Sequence, residues 1–147
     1  MAEPLRVRIR RLDPDLPLPV YATPGSAGFD LYCREEATIA PGAIALLPTG
    51  VAIATPPGYM LLVAARSSTP RRTGLSVPHG VGVIDRDYCG DDDEIRCQVY
   101  NFTDVPVTVR RGDRLAQGIF VRCDQVIWGE VGSLEAPSRG GFGSTGG

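Results

Sequence analysis

Apolar and polar residues alternate along most of this chain. Leu5-Arg-Val-Arg-Ile-Arg10 shows the pattern openly. A period of two puts successive side chains on opposite faces of a strand, so this segment reads as a strand with one wet face. Short strands are expected likewise at 38–40, 43–47 and 51–54, punctuated by Pro41-Gly42 and Pro48-Thr49-Gly50. Such pairs favour turns, because proline fixes φ and glycine tolerates the left-handed region. Tyr59-Met-Leu-Leu-Val-Ala64 is apolar throughout, which predicts a buried central strand. Further strands are expected at 75–77, 81–84, 95–100, 107–109 and 115–121, the first two joined as a hairpin across Pro78-His79-Gly80. Residues 13–24 are proline-rich and read as a surface loop, and residues 66–72 as a polar loop. A helical turn has room only at 67–73, where Pro70 counts against it. Many short strands at regular spacing, with no internal repeat, predict an all-β sandwich, barrel or jelly roll.

Composition narrows the function. The 147 residues make one domain by length, large enough for a proper core. The net charge of −2 argues against a nucleic-acid polymer, which needs a basic stripe, but leaves room for a nucleotide held by a few local cations. No apolar run approaches the roughly 18 residues of a membrane span. The first ten residues lack the continuous apolar block of a secretory signal. Cys33, Cys89, Cys97 and Cys123 form no C-x-x-C pair and the chain has one histidine, so no zinc site is expected. Reduced thiols in a cytoplasmic protein are the simplest reading.

Five segments interrupt the alternation with glycine or charge. Ala27-Gly-Phe-Asp-Leu-Tyr32 places Asp30 inside an apolar strand pattern, as a site acid or as a cap of a turn near Gly28. Ala65-Arg-Ser-Ser-Thr-Pro70 puts the Arg66 fork and the Ser67 and Ser68 hydroxyls after a buried strand, which makes either a phosphate cradle or an ordinary polar loop. Gly80-Val-Gly-Val-Ile-Asp-Arg-Asp-Tyr-Cys-Gly90 carries Asp85 to a sheet end beside buried surface. There a carboxylate serves as a general base or as a turn former, with Tyr88 offering a flat wall. Gly112-Asp-Arg-Leu-Ala-Gln-Gly118 brackets an apolar strand with Arg114 and Gln117. The last is Ser138-Arg-Gly-Gly-Phe-Gly-Ser-Thr-Gly-Gly147, which cannot build a core. Its bland reading is a solvated tail. Its functional reading is a ligand clamp, in which Arg139 pairs with phosphate, Phe142 stacks on a base, and Ser144, Thr145 and the glycine N–H groups donate to an anion.

In this order the five segments resemble the motifs of the trimeric dUTPase family, over roughly Ala27 to Gly146. Gly82-Val-Ile-Asp85 with Asp87-Tyr88, Gly112-Asp-Arg114 with Ala116-Gln117, and Gly141-Phe-Gly-Ser-Thr-Gly146 are the nearest matches. The resemblance implies a distorted β jelly roll assembled as a homotrimer with shared active sites. It implies a β domain over residues 1–136 and a flexible glycine-rich arm over 137–147 that closes the site. It implies hydrolysis of dUTP to dUMP and pyrophosphate with magnesium, which keeps uracil out of DNA and supplies dUMP for thymidylate. By motif, Asp85 activates the water and Tyr88 underlies the deoxyribose. Arg66, Ser67, Ser68 and Gln117 contact phosphates, and Asp30 reaches magnesium through water. His79, Gly80, Val83 and Ile84 read uracil, mainly through backbone groups. Phe142 covers the base, while Gly143, Ser144, Thr145 and Arg139 close on the distal phosphates.

Three places depart from the family pattern. His79 stands where some relatives have asparagine, Asp91-Asp-Asp-Glu94 is an acidic extension that reads as a solvated bulge, and Arg139 lies unusually close to Phe142. Two other functions compete. A dCTP deaminase shares the fold and an Arg-Ser-Ser segment, but would release ammonia. A regulatory relative without turnover would bind nucleotide and have no need of Asp85.

Overall fold

The computed structural model describes residues 3–143. Among these, eleven strands and one short helix follow one another in chain order: β1 (Arg8–Arg11), β2 (Phe29–Tyr32), β3 (Ala37–Ile39), β4 (Ile44–Pro48), β5 (Val51–Ala54), β6 (Tyr59–Ala64), α1 (Thr69–Thr73), β7 (Leu75–Ser76), β8 (Gly82–Ile84), β9 (Arg96–Asn101), β10 (Val107–Val109) and β11 (Arg114–Arg122). All pairings are antiparallel. The principal sheet runs β2-β11-β6-β8, a second runs β4-β9-β7, and β1-β5 and β3-β10 form two small pairs. This is the all-β architecture that the alternation predicts, in the jelly-roll-like form that the family resemblance implies.

The core lies between the two larger sheets. Leu31, Leu61 and Val63 point inward from the first, and Leu47, Leu75, Cys97 and Val99 from the second. Burying such a side chain contributes about 1.5–3 kcal/mol. One net hydrogen bond contributes about 1 kcal/mol. The inward-facing set therefore fixes each strand's face. Asn101 sits fully buried among these residues with its amide satisfied, donating to the Ile39 and Val105 carbonyls at 2.9 and 2.8 Å.

Strand β6 is central, as its apolar run predicts, but only Leu61 and Val63 are buried, while Met60, Leu62 and Ala64 are half-buried. Two expectations fail. Strands β7 and β8 do not form a hairpin: β7 pairs with β9 and β8 with β6. The Pro78-His79-Gly80 turn is tight, with the Gly80 N–H donating to the Val77 carbonyl at 3.0 Å, but it hands the chain from one sheet to the other. Leu75 seeks the core beside β9, whereas Gly82 fits against Val63, whose Cβ lies 3.3 Å from where a Cβ on Gly82 would be. Residues 69–73 do form a helix despite Pro70, because proline falls in the first turn, where its missing N–H has no partner to lose. Gly74 ends the helix at φ 78°, and any Cβ there would also meet the Thr103 methyl at 2.4 Å.

Candidate active site

The register of the principal sheet gathers three of the five segments at one end of β6. Gln117 on β11 faces Asp30 on β2 and Ala64 on β6. Arg66 lies just past Ala64, and its Nε meets Asp30 Oδ1 at 3.2 Å. Arg114 Nη1 approaches Asp30 Oδ2 at 3.7 Å. Asp30 is thus a nearly buried carboxylate with a guanidinium beside each oxygen, and not the cap of a turn near Gly28. Gln117 donates from Nε2 to the Ala65 carbonyl at 3.0 Å, tying the strand end that carries Arg66. Gly28 leaves room for that amide, since a Cβ there would stand 2.5 Å from Gln117 Oε1.

Beyond Arg66 the chain turns into α1. The Thr69 hydroxyl accepts from the Arg66 N–H at 3.1 Å, and Ser68, at the N-cap, makes no side-chain cap bond. Ser67 is exposed. The result is an opening of about 330 Å³ lined by Arg66, Ser68, Thr69, Arg72, Thr73, Asp113 and Arg114. Its three arginines and several hydroxyls suit a polyanion. Arg72 was not singled out from the sequence, and only its helical spacing from Ser68 could have signalled it.

The opposite end of β6 carries different chemistry. Because β8 runs antiparallel to β6, Gly82 lies opposite Val63 and Ile84 opposite Leu61, so the chain after Ile84 emerges beside Met60. A hollow of about 220 Å³ lies along β8, with His79, Val83 and Ile84 among its walls. Asp85 follows. It is exposed, not set against buried surface as expected, and forms no ion pair among the described residues. The Tyr88 N–H donates to its carbonyl at 3.1 Å, so Asp85 opens a turn as well as ending a strand. Asp85 and Asp87 line a depression of about 540 Å³ with Tyr59, Met60, Cys123 and Asp124. From Ala64 to Met60, at about 3.3 Å per residue, the two ends of β6 lie about 13 Å apart along the strand. Asp85 and Arg66 thus lie toward opposite ends of β6, and no ion pair joins them.

The acidic run after Gly90 is not uniformly solvated. Asp93 closes a turn by accepting from the Gly90 N–H at 2.8 Å, but Glu94 is buried. Its carboxylate accepts hydrogen bonds from Arg34 Nη2 at 3.0 Å and the Gly50 N–H at 2.7 Å, with Arg34 Nε at an ion-pair distance of 3.0 Å. A lone acid buried there would be costly; the Arg34 charge, one hydrogen bond from its Nη2 and another from the Gly50 N–H make the burial tolerable. Elsewhere Arg111 holds the Asp13 carboxyl below its ordinary range through a direct hydrogen bond. Burial pushes the Cys97 thiol up to about 12, with Cys33 adding to the effect.

After β11 the chain forms no strand among the described residues, and residues 124–143 are exposed throughout. Phe142 stands fully exposed at φ 51°, with Arg139 also exposed. Ser144 and Thr145 lie outside the described residues. Val126, Ile127, Trp128, Val131 and Leu134 present a run of exposed apolar side chains ahead of this tail.

Comparison with known proteins decides the family. The dUTPase family model matches residues 15–146. The chain belongs to the dUTPase family. It is 48% identical to a deoxyuridine 5'-triphosphate nucleotidohydrolase of Thermobifida fusca, over 97% of this chain and 80% of that protein. It is 45% identical to one of Dictyoglomus turgidum, over 97% and 99%. The crystal structure of the Streptococcus mutans dUTPase superimposes with a TM-score of 0.75 at 35% identity, covering 82% of this chain and 98% of that one. The dUTPase of Staphylococcus bacteriophage 80alpha, solved with dUPNHPP, shares the fold at a TM-score of 0.86 and 23% identity, covering 96% and 98%. The chain is thus a hydrolase acting on phosphoric anhydrides.

Proposed function

We propose that this dUTPase-family chain hydrolyses dUTP to dUMP and pyrophosphate, in sites shared between copies of a homotrimer. The observation that supports this most is the division of its site residues. An arginine and hydroxyl cradle occupies one end of β6, and the other carries Asp85, exposed and in no ion pair among the described residues. Two ends of one strand cannot close on one triphosphate, but the cradle of one copy and the carboxylate of a neighbour can. Leu46 and Val83, over half exposed beside the hollow, and the apolar run at 126–134 are surfaces that such an assembly covers.

In this reading Asp85 accepts a proton from water as the water oxygen bonds to the α-phosphorus. The bond from that phosphorus to the bridging oxygen breaks, and pyrophosphate leaves. Arg66, Ser67 and Ser68 hold phosphate oxygens, and Gln117 keeps the strand end that carries them in place. Tyr88 fills the space a 2′-hydroxyl needs. His79, Gly80, Val83 and Ile84 read uracil along the β8 hollow, where alternating N–H and C=O groups match an N3–H flanked by two carbonyls. Phe142 covers the base, while Arg139, Gly143, Ser144 and Thr145 close over the phosphates as the arm at 137–147 folds down.

The described residues contain no group of three carboxylate, histidine or cysteine side chains that would cage a metal. Asp30, a single carboxylate between two guanidiniums, fits magnesium as an outer contact through water, to an ion that the triphosphate carries in. When bound, magnesium would neutralise part of the phosphate charge. The product supplies dUMP for thymidylate and the reaction keeps uracil out of DNA, in the cytoplasm.

The test is pyrophosphate release with magnesium across dUTP, dCTP, dTTP and UTP. Turnover of dUTP far above the others is expected. Absence of dUTP turnover overturns the reading, and ammonia from dCTP would replace it with a deaminase.

A further inference from the structure

Tyr88 is held by its hydroxyl, and what holds it is the backbone of a buried acid. The phenol donates to the Glu94 carbonyl at 2.8 Å while the residue as a whole stays 38% exposed. The ring is thus fixed at its far end and open on a face. The carbonyl itself belongs to a rigid point. The Glu94 side chain is 3% exposed, ion-paired with Arg34 and hydrogen-bonded by Arg34 Nη2 and the Gly50 N–H. The next residue, Ile95, is fully buried, and its N–H donates to the Val51 carbonyl at 2.8 Å. Arg34 is itself tied down, its N–H donating to the Pro48 carbonyl at 2.9 Å. Gly50, at φ 77°, brings its N–H to the carboxylate where a Cβ would meet Leu16 at 3.3 Å.

Between Tyr88 and Glu94 the chain makes only a short excursion, closed by Asp93 on Gly90. The tyrosine therefore cannot shift without stretching its bond to Glu94 or moving that ion pair. We infer that Glu94, with Arg34, is a positioning residue for Tyr88: the buried carboxylate sets the height of the ring and so the strictness with which a ribose 2′-hydroxyl is refused. This rests on the reading of Tyr88 as the wall under the sugar. The acidic extension then has a purpose beyond solvation. It returns the chain from the exposed Asp85 turn to a buried anchor within reach of the phenol.

The chemistry predicts a selectivity effect. A sugar wall that loses its anchor swings away and admits ribose, which changes the ratio of two substrates more than the rate on the better one. A merely structural Glu94 would lower the melting temperature and leave the ratio alone.

The experiment measures kcat/KM for dUTP and UTP in the wild type, Tyr88→Phe and Glu94→Gln, with thermal melts of each. Tyr88→Phe removes only the hydroxyl, so it keeps the inference falsifiable should Glu94→Gln fail to fold. Both variants are expected to lower the dUTP to UTP ratio by about three- to tenfold, the worth of one hydrogen bond. An unchanged ratio in Tyr88→Phe overturns the anchor. A changed ratio in Tyr88→Phe with an unchanged one in folded Glu94→Gln overturns the role of Glu94. A wild type without dUTP turnover overturns the functional reading instead.

Discussion

Asp30 and Asp85 are aspartates at opposite ends of one sheet, and their surroundings differ in almost every respect. Asp30 is nearly buried, lies between Arg66 and Arg114, and has Gln117 as its strand neighbour. Asp85 is exposed at the mouth of a turn and forms no ion pair among the described residues. One end of β6 is a set of charges already balanced, in which an incoming phosphate must compete with Asp30 for Arg66. The other is an open carboxylate, read under the proposed function as a base completed by a neighbouring copy. Preorganised donors belong where charge develops, and a proton acceptor must stay accessible to water. The difference teaches that the two ends of β6 carry opposite chemistry, which is what the proposed shared site requires.

The largest effect that breaks this comparison is at the open end. Asp85→Asn keeps the size of the side chain but cannot accept a proton, so kcat for dUTP is expected to fall by about 10²–10⁴-fold. Near-normal kcat would make Asp85 a turn former and move the base to Asp87 or Asp30.

A smaller loss is expected from removing residues 138–147. The deletion takes away the Phe142 stack, worth about 1–3 kcal/mol or roughly one to two decades in kcat/KM. Fold and assembly should survive, because the segment has no apolar periodicity to bury. Unchanged kcat/KM in the truncated protein returns the tail to a solvated extension.

Much of this was legible in the sequence. Alternation located nearly every strand, since a buried face demands it. It did not reveal that β7 and β8 part company after the His79 turn, because period two specifies the face of a strand and not its neighbour. Pro70 was read as a helix breaker when its position in the first turn made it harmless. The chemistry of the five segments was visible as residue types, and the register that sets Asp30 opposite Gln117 then explained two of them together. Glu94 was hidden inside a run of acids. What separates it from Asp91, Asp92 and Asp93 are partners 60 and 44 residues away, Arg34 and Gly50, and no local pattern points to them.

The smallest effect concerns the thiols. Cys89 and Cys123 are exposed at the Asp85 end, while Cys33 and Cys97 are buried in the core. A thiol-specific dye should label the first pair well before the second in the folded protein, and equal rates for all four would contradict the packing. Burial raises the Cys97 value to about 12, above the roughly 8.5 of a free thiol. Its contribution to stability is therefore complete below the free value and is lost as pH rises from there toward the folded one. Unfolding midpoints measured from pH 8 upward should decline, less so in Cys97→Ala relative to its own value at pH 8.

The most direct test of shared half-sites is complementation. Arg66→Ala and Asp85→Asn, each folded and nearly inactive alone, are co-expressed so that they assemble together. In a random threefold assembly about one interface in four pairs an intact Asp85 with an intact Arg66 from its neighbour, given one cradle and one base per site. The mixture is expected to recover about a quarter of wild-type dUTP turnover. Mixed trimers that stay as inactive as the two parents would show that Arg66 and Asp85 serve the same substrate from within one chain, and would contradict the account.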